Sequence, residues 1–147
     1  MDIISQIKKV LDDEDDLELY TRKDKEKVLQ AFDRLDVKVS KLVEEFFLNL
    51  EGPFWEESLG MSFLDIINED VNIESETNVC RKIHKFPKQY LVLTEMVADE
   101  IIVLDSTNDK VYRVDFEGGD IKLLNGALEE DWNSFEDFLR SYFELDT

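Results

Sequence analysis

The stretch EIIVLDSTNDKVYRVDFEGGDIKLL, Glu100 to Leu124, decides the fold class. Alternation and β-branched residues mark 100–105, 110–116 and 120–124 as strands. Ser106, Thr107, Asn108 and Asp109 form the first connecting loop. Glu117-Gly118-Gly119-Asp120 suits a two-residue hairpin, because both glycines accept positive φ. That turn sets Phe116 opposite Ile121 and Val114 opposite Leu123 on one face. With a further strand at 89–94, the expectation is an antiparallel meander with one buried face.

On either side the period changes from two to helical. Ile3, Ile4, Ile7, Val10 and Leu11 line one helix face, and the acidic run Asp12 to Asp16 ends it, since carboxylates oppose the dipole at a helix C-terminus. Thr21 is a candidate N-cap, with Asp24 three residues on, for a second helix reaching about Arg34. Val39, Leu42, Val43, Phe46, Phe47 and Leu50 make a full apolar stripe, closed by Gly52 as C′ residue and Pro53 after it. Residues 63–67 read as a short strand or a helical turn, 72–78 as polar loop, and 78–85 as helix or strand. After the meander, Ser134 and Asp137 open a last helix with Phe135, Phe138, Leu139, Tyr142 and Phe143 on its apolar face. Helices, a mainly antiparallel sheet and a closing helix define an α+β domain. A length of 147 residues suits one such domain.

Charge is the strongest bulk feature: 36 acidic against 17 basic side chains, a net charge of -19. Such a field repels phosphates and anionic lipid and draws in basic partners. Direct nucleic-acid binding is therefore not expected, because it depends on neutralising phosphates. The lone cysteine, Cys80, rules out an internal disulfide and fits a reducing, cytoplasmic setting. The N-terminus lacks the apolar stretch of a signal peptide, and no run is long enough to span a membrane.

Several segments together resemble the SUKH superfamily, which joins a fungal cell-wall-assembly regulator to many bacterial immunity proteins. Residues 31–52, AFDRLDVKVSKLVEEFFLNLEG, resemble its entry motif, with Leu35, Val39, Phe46, Phe47, Leu50 and Gly52 on the motif positions. Phe86-Pro87 with the strands at 90–93 and 101–105 looks like its central strands. Lys110-Val-Tyr-Arg-Val-Asp and Ser134-Phe-Glu-Asp-Phe-Leu match its later strand and closing helix. Val39 and Ser40 stand where the family link has Leu-Pro, and 96–100 replaces its inter-strand glycines. The likeness spans about residues 23–145; 1–20 adds a helix and an acidic linker. It implies an immunity protein, an antitoxin that binds and neutralises the toxic C-terminal domain of a secreted polymorphic toxin. Many such toxins are nucleases with basic surfaces, for which an acidic inhibitor is a suitable counter-surface. The alternative is a regulatory module docking to another cytosolic protein.

No catalytic signature is present. Cys80 and His84 are spaced i, i+4, but two ligands without a second pair make no zinc site. No nucleophile elbow or phosphate-cradling glycine loop occurs. Asp105-x-Thr107-x-Asp109 has Lys110 where a calcium loop needs glycine. The expectation is a binding protein, not an enzyme, with no cofactor and no metal. Candidate partner-binding residues are aromatics beside carboxylates: Phe54, Trp55, Glu56 and Glu57; Glu129, Glu130, Asp131 and Trp132; and Asp99 with Glu100. Neighbours in an extended segment point opposite ways, so one of Phe54 and Trp55 should seal the core while the other faces out. Trp132 also reads as a packed residue at the entry to the last helix; Asp12 to Asp16 is a third candidate stretch, for which a solvated linker is the simpler reading.

Overall fold

The computed structural model describes residues 1–145. It is an α+β arrangement of two small antiparallel sheets and the helices around them. Helices α1 (Ile3–Asp13), α2 (Lys25–Leu35) and α3 (Lys41–Asn49) come first. A two-stranded sheet follows, β1 (Phe54–Glu56) paired with β2 (Met61–Phe63), and then α4 (Ile73–Ile83). The larger sheet has the order β3 (Tyr90–Val92), β4 (Glu100–Asp105), β5 (Val111–Asp115). Helices α5 (Gly119–Leu124) and α6 (Phe135–Tyr142) complete the described elements.

Each helix start is capped by a side chain, except that of α5. Asp2 accepts from the Ser5 N–H, Ser40 from Val43 and Ser134 from Asp137. The cap of α2 is Asp24, which accepts from Lys27, and not Thr21. Thr21 instead turns its hydroxyl to the Leu17 carbonyl and bridges to Leu50. The end of α3 also differs from expectation. The helix stops at Asn49 and Leu50 is already extended, drawn into that bridge, so Gly52 is not a C′ residue.

The three-stranded sheet is buried on both faces rather than one. Leu91, Leu93, Ile102, Leu104 and Val111 face a large core shared with α1, α2, α3 and α6. Tyr90, Val92, Ile101, Val103, Tyr112 and Val114 face a second cluster with Cys80, Phe86 and Leu123. That cover comes from α4, whose first half reads as loop and whose second half was left open between helix and strand, and from α5, read as a strand. In α4 only Ile73, Thr77 and Cys80 point inward, so the stripe carries little hydrophobicity and 72–78 looks like loop. The helix is nucleated by a capping box between Asn72 and Ser75.

In α5 the expected hairpin is absent. The Asp115 carboxylate accepts from the Glu117 and Gly119 N–H groups, and Gly118 takes φ 125, which starts a helical turn. A Cβ on Gly119 would lie 2.8 Å from that carboxylate. The expected pairs Phe116–Ile121 and Val114–Leu123 therefore do not form, and Ile121 is exposed while Leu123 is buried. The flank of β5 is taken by Trp132, bridged to Val111.

Candidate functional site

Strand β1 divides its aromatics as its alternation requires. Phe54 is 2% exposed and Trp55 59% exposed. Phe54 is thus a core residue and offers no surface to a partner, a correction to its place among the contact candidates. Its ring stacks on Tyr20 at 5.2 Å and meets Phe143 edge-on at 5.4 Å. The Tyr142 hydroxyl donates to the Phe54 carbonyl at 3.0 Å.

The approach to β1 is held by a buried ion pair, Arg22 with Asp65. Asp65 accepts from both terminal nitrogens of Arg22, at 3.1 and 2.6 Å, and from the N–H groups of Gly52, Ile67 and Asn68. Arg22 donates onward to the Phe47 and Leu50 carbonyls. A buried charge pair holds only when its remaining hydrogen-bonding capacity is met, and here it is. The Glu51 N–H reaches the Tyr20 carbonyl at 2.9 Å, tying the segment after the acidic run to the segment before β1.

This places Glu14 and Asp16 beside Trp55. A notch of about 50 Å³ lies among Glu14, Asp16, Tyr20, Trp55, Glu56 and Phe143. Burial, then the charges of Glu14 and Glu144, push the Glu56 carboxyl above its ordinary value. Burial and the carboxylates of Asp16, Glu56 and Glu14 likewise raise the Tyr20 phenol. Among the described residues, none of Glu14, Asp16, Glu56, Glu57 and Glu144 takes part in an ion pair.

Three of the other candidate carboxylates have internal counterparts. Glu100 accepts from Arg113 at 2.8 Å, and Asp131 from the Arg113 backbone N–H at 2.6 Å. Glu130 pairs with Lys110 at 3.4 Å. Trp132 packs on Phe138 at 5.1 Å and carries the Arg113 guanidinium 5.5 Å above its ring. Asp99 and Glu129 are exposed; Asp99 sits in the turn before β4 with φ 60. A cavity of about 100 Å³ has Ser58, Leu59, Arg113 and Trp132 on its wall, so the turn after Glu57 and the Trp132 segment border one depression. The structure thus places the β1 group at an acidic notch without ion pairs and joins Glu100, Glu130 and Asp131 to Arg113 and Lys110. Glu14 and Asp16 belong to the acidic run weighed as a third candidate and read in the main as a solvated linker; Tyr20 and Glu144 were not among the candidates. Their place beside β1 rests on contacts between distant segments, such as the bond from the Glu51 N–H to the Tyr20 carbonyl, which no local pattern marks.

Cys80 is buried on α4, and burial pushes its thiol up to about 11. His84 caps the C-terminal end of the same helix and lies against Phe116, with ring centroids 4.4 Å apart. Among the described residues no three His, Cys, Asp or Glu side chains are grouped to hold a metal, and no helix is long and apolar enough to cross a membrane. Asp105 closes its turn by accepting from the Thr107 N–H and hydroxyl. In comparisons with known proteins, the chain matches no family model and no curated protein.

Proposed function

We propose that the protein is a SUKH-type immunity protein. It acts in the cytoplasm by binding the basic, toxic domain of a cognate secreted toxin, a nuclease being the chemistry that fits best. The reading starts from the motif resemblance. It is supported by one structural observation: the exposed Trp55 borders a notch shared with Glu14, Asp16 and Glu56, none of which takes part in an ion pair among the described residues. A large aromatic supplies the desolvated centre of a contact, and free carboxylates supply steering and register against a basic face. Glu100, Glu130 and Asp131 already have partners in Lys110 and Arg113, so they form a secondary rim. Inhibition is by occupancy: the acidic face covers the groups that would hold nucleic acid phosphates, and no chemistry of its own is required.

The test is affinity capture from the source cells at low and then moderate salt, followed by titration calorimetry with the captured domain. A basic toxin domain whose affinity falls steeply with salt and drops on Trp55→Ala is the expected result. Capture of a housekeeping complex, or a toxin bound without salt dependence, would overturn the reading or its electrostatic half respectively.

A further inference from the structure

We infer that the outer surface of α4 and α5 is an interface whose occupant is a second copy of this chain, set across a two-fold axis. The inference goes beyond the immunity reading and does not rest on it. This two-helix layer covers the second core cluster, whereas Phe54, Tyr20 and Phe143 belong with the large core. Apolar exposure is the first observation. Ile73, Thr77, Cys80 and Leu123 are buried, yet Val79, Ile83, Ile121 and Leu124 stay exposed, Ile83 at 64% and Ile121 at 55%. Val79 and Ile83 are about one turn apart and share a flank of α4. Among the described residues, α1, α3 and α6 leave no large apolar side chain exposed. The ring of His84, at the end of α4, lies 4.4 Å from that of Phe116, just before α5, so the two helices adjoin in one layer. An apolar surface of that kind marks a contact site.

Charge decides which partner fits. Two copies at -19 each repel wherever acid faces acid, so they can meet only where acid is scarce. No Asp or Glu occurs from residue 77 to residue 94, a stretch that carries Arg81, Lys82, Lys85 and Lys88. Arg81 is spent on the Leu35 and Lys88 carbonyls, and Lys88 on Asp36. Lys82 and Lys85 have no carboxylate partner among the described residues, and neither have Lys122, Glu117 and Asp120 at α5. One layer therefore carries unpaired cations on α4 and unpaired charges of both signs at α5. A surface of a single sign would suit a partner of opposite charge. A surface bearing both signs around apolar side chains suits itself, and a two-fold contact uses the same surface on both subunits. An axis that sets α4 of one copy against α5 of the other brings lysine to carboxylate twice and buries the four apolar side chains between the copies.

The test is sedimentation velocity on the intact protein from roughly 10 μM to 1 mM, the span in which a small interface assembles, in about 0.15 M salt. The expected result is a mass that doubles with concentration and stops at two copies. Ile83→Glu and Ile121→Glu each place an unpaired charge in the contact and should weaken dimerisation by about tenfold or more. Both side chains are exposed in the single chain, so both variants should fold, which near-ultraviolet circular dichroism checks. Trp55→Ala, outside the layer, should dimerise as wild type does. Hydrogen exchange supplies a reading without substitution: amides of α4 and α5 should slow as concentration rises, while those of β1 do not. A monomer throughout the range, a dimer that either glutamate variant leaves intact, or open-ended growth of the mass would overturn the inference.

Discussion

Truncation of Phe54 to alanine is expected to cost about 3–5 kcal/mol, because a fully packed aromatic leaves a cavity that its neighbours fill only in part. Phe46, Phe63, Phe143 and Tyr20 all touch that ring. Trp55→Ala should change stability by less than about 0.5 kcal/mol, as surface substitutions usually do, while lowering partner affinity. Urea unfolding of the two variants checks the contrast. A Trp55→Ala variant as unstable as Phe54→Ala would mean that the indole supports the hairpin rather than a contact. The division of the pair was legible in the sequence, since alternation demands that one of two adjacent strand residues turns away. Which one turns in was not, because both residues are large and apolar; the choice comes from the ring cluster beneath β1.

At the level of elements, most helices and the strands β3, β4 and β5 could be read from period and turn chemistry. The first half of α4 and all of α5 were misread, each for its own reason. In α4 the inward positions include Thr77 and Cys80, and Thr77 donates no hydrophobic signal; its hydroxyl accepts from the Val92 N–H and fixes the helix to β3 at 2.9 Å. In α5 the Gly-Gly pair has the composition of a hairpin, but the Asp115 carboxylate claims the N–H groups that a hairpin would leave to the ladder. The start of α4 depends on Asn72, which caps Ser75 and also donates from its amide to the Ile67 and Glu69 carbonyls. Asn72→Ala should therefore cost about 1–2 kcal/mol, the upper part of the range for a lost cap. Asn72→Asp keeps the acceptor and should recover part of that loss. Thermal unfolding with hydrogen exchange across the first turn of α4 reads both effects. Equal losses in the two variants would place the stabilisation in the amide donors instead.

For the whole molecule, the net charge of -19 makes folding work against self-repulsion. Added salt, to about 0.5 M, should raise the melting temperature at neutral pH by screening it. The pH profile has two limbs of opposite sign. Glu56 has a raised folded value, so it binds a proton more readily folded than unfolded, and its contribution is present at low pH and lost as pH rises. Stability should climb as pH falls from 7 to about 5, and Glu56→Gln should flatten part of that climb. Asp2, Asp36 and Asp115 are lowered by hydrogen bonds from Ser5, Lys88 and the Gly119 backbone, so their contributions are lost once pH falls below about 4. A maximum on the acid side of neutrality follows. Denaturant melts across that range would refute it by showing a steady fall from pH 7.

The sequence by itself determined the α+β class, the helical stripes of α1, α3 and α6, the exact span of β4, and the excess of negative charge. These are local or additive properties: periodicity, capping and composition do not depend on what lies across the core. Only the tertiary structure decided that the sheet is covered on both faces, that Trp55 is the outward aromatic, and that Glu14 and Asp16 join Glu56 around one notch. Those outcomes rest on contacts between residues distant in the chain. Arg22 and Asp65, 43 positions apart, bring the segments together, and no periodicity within either segment carries that information.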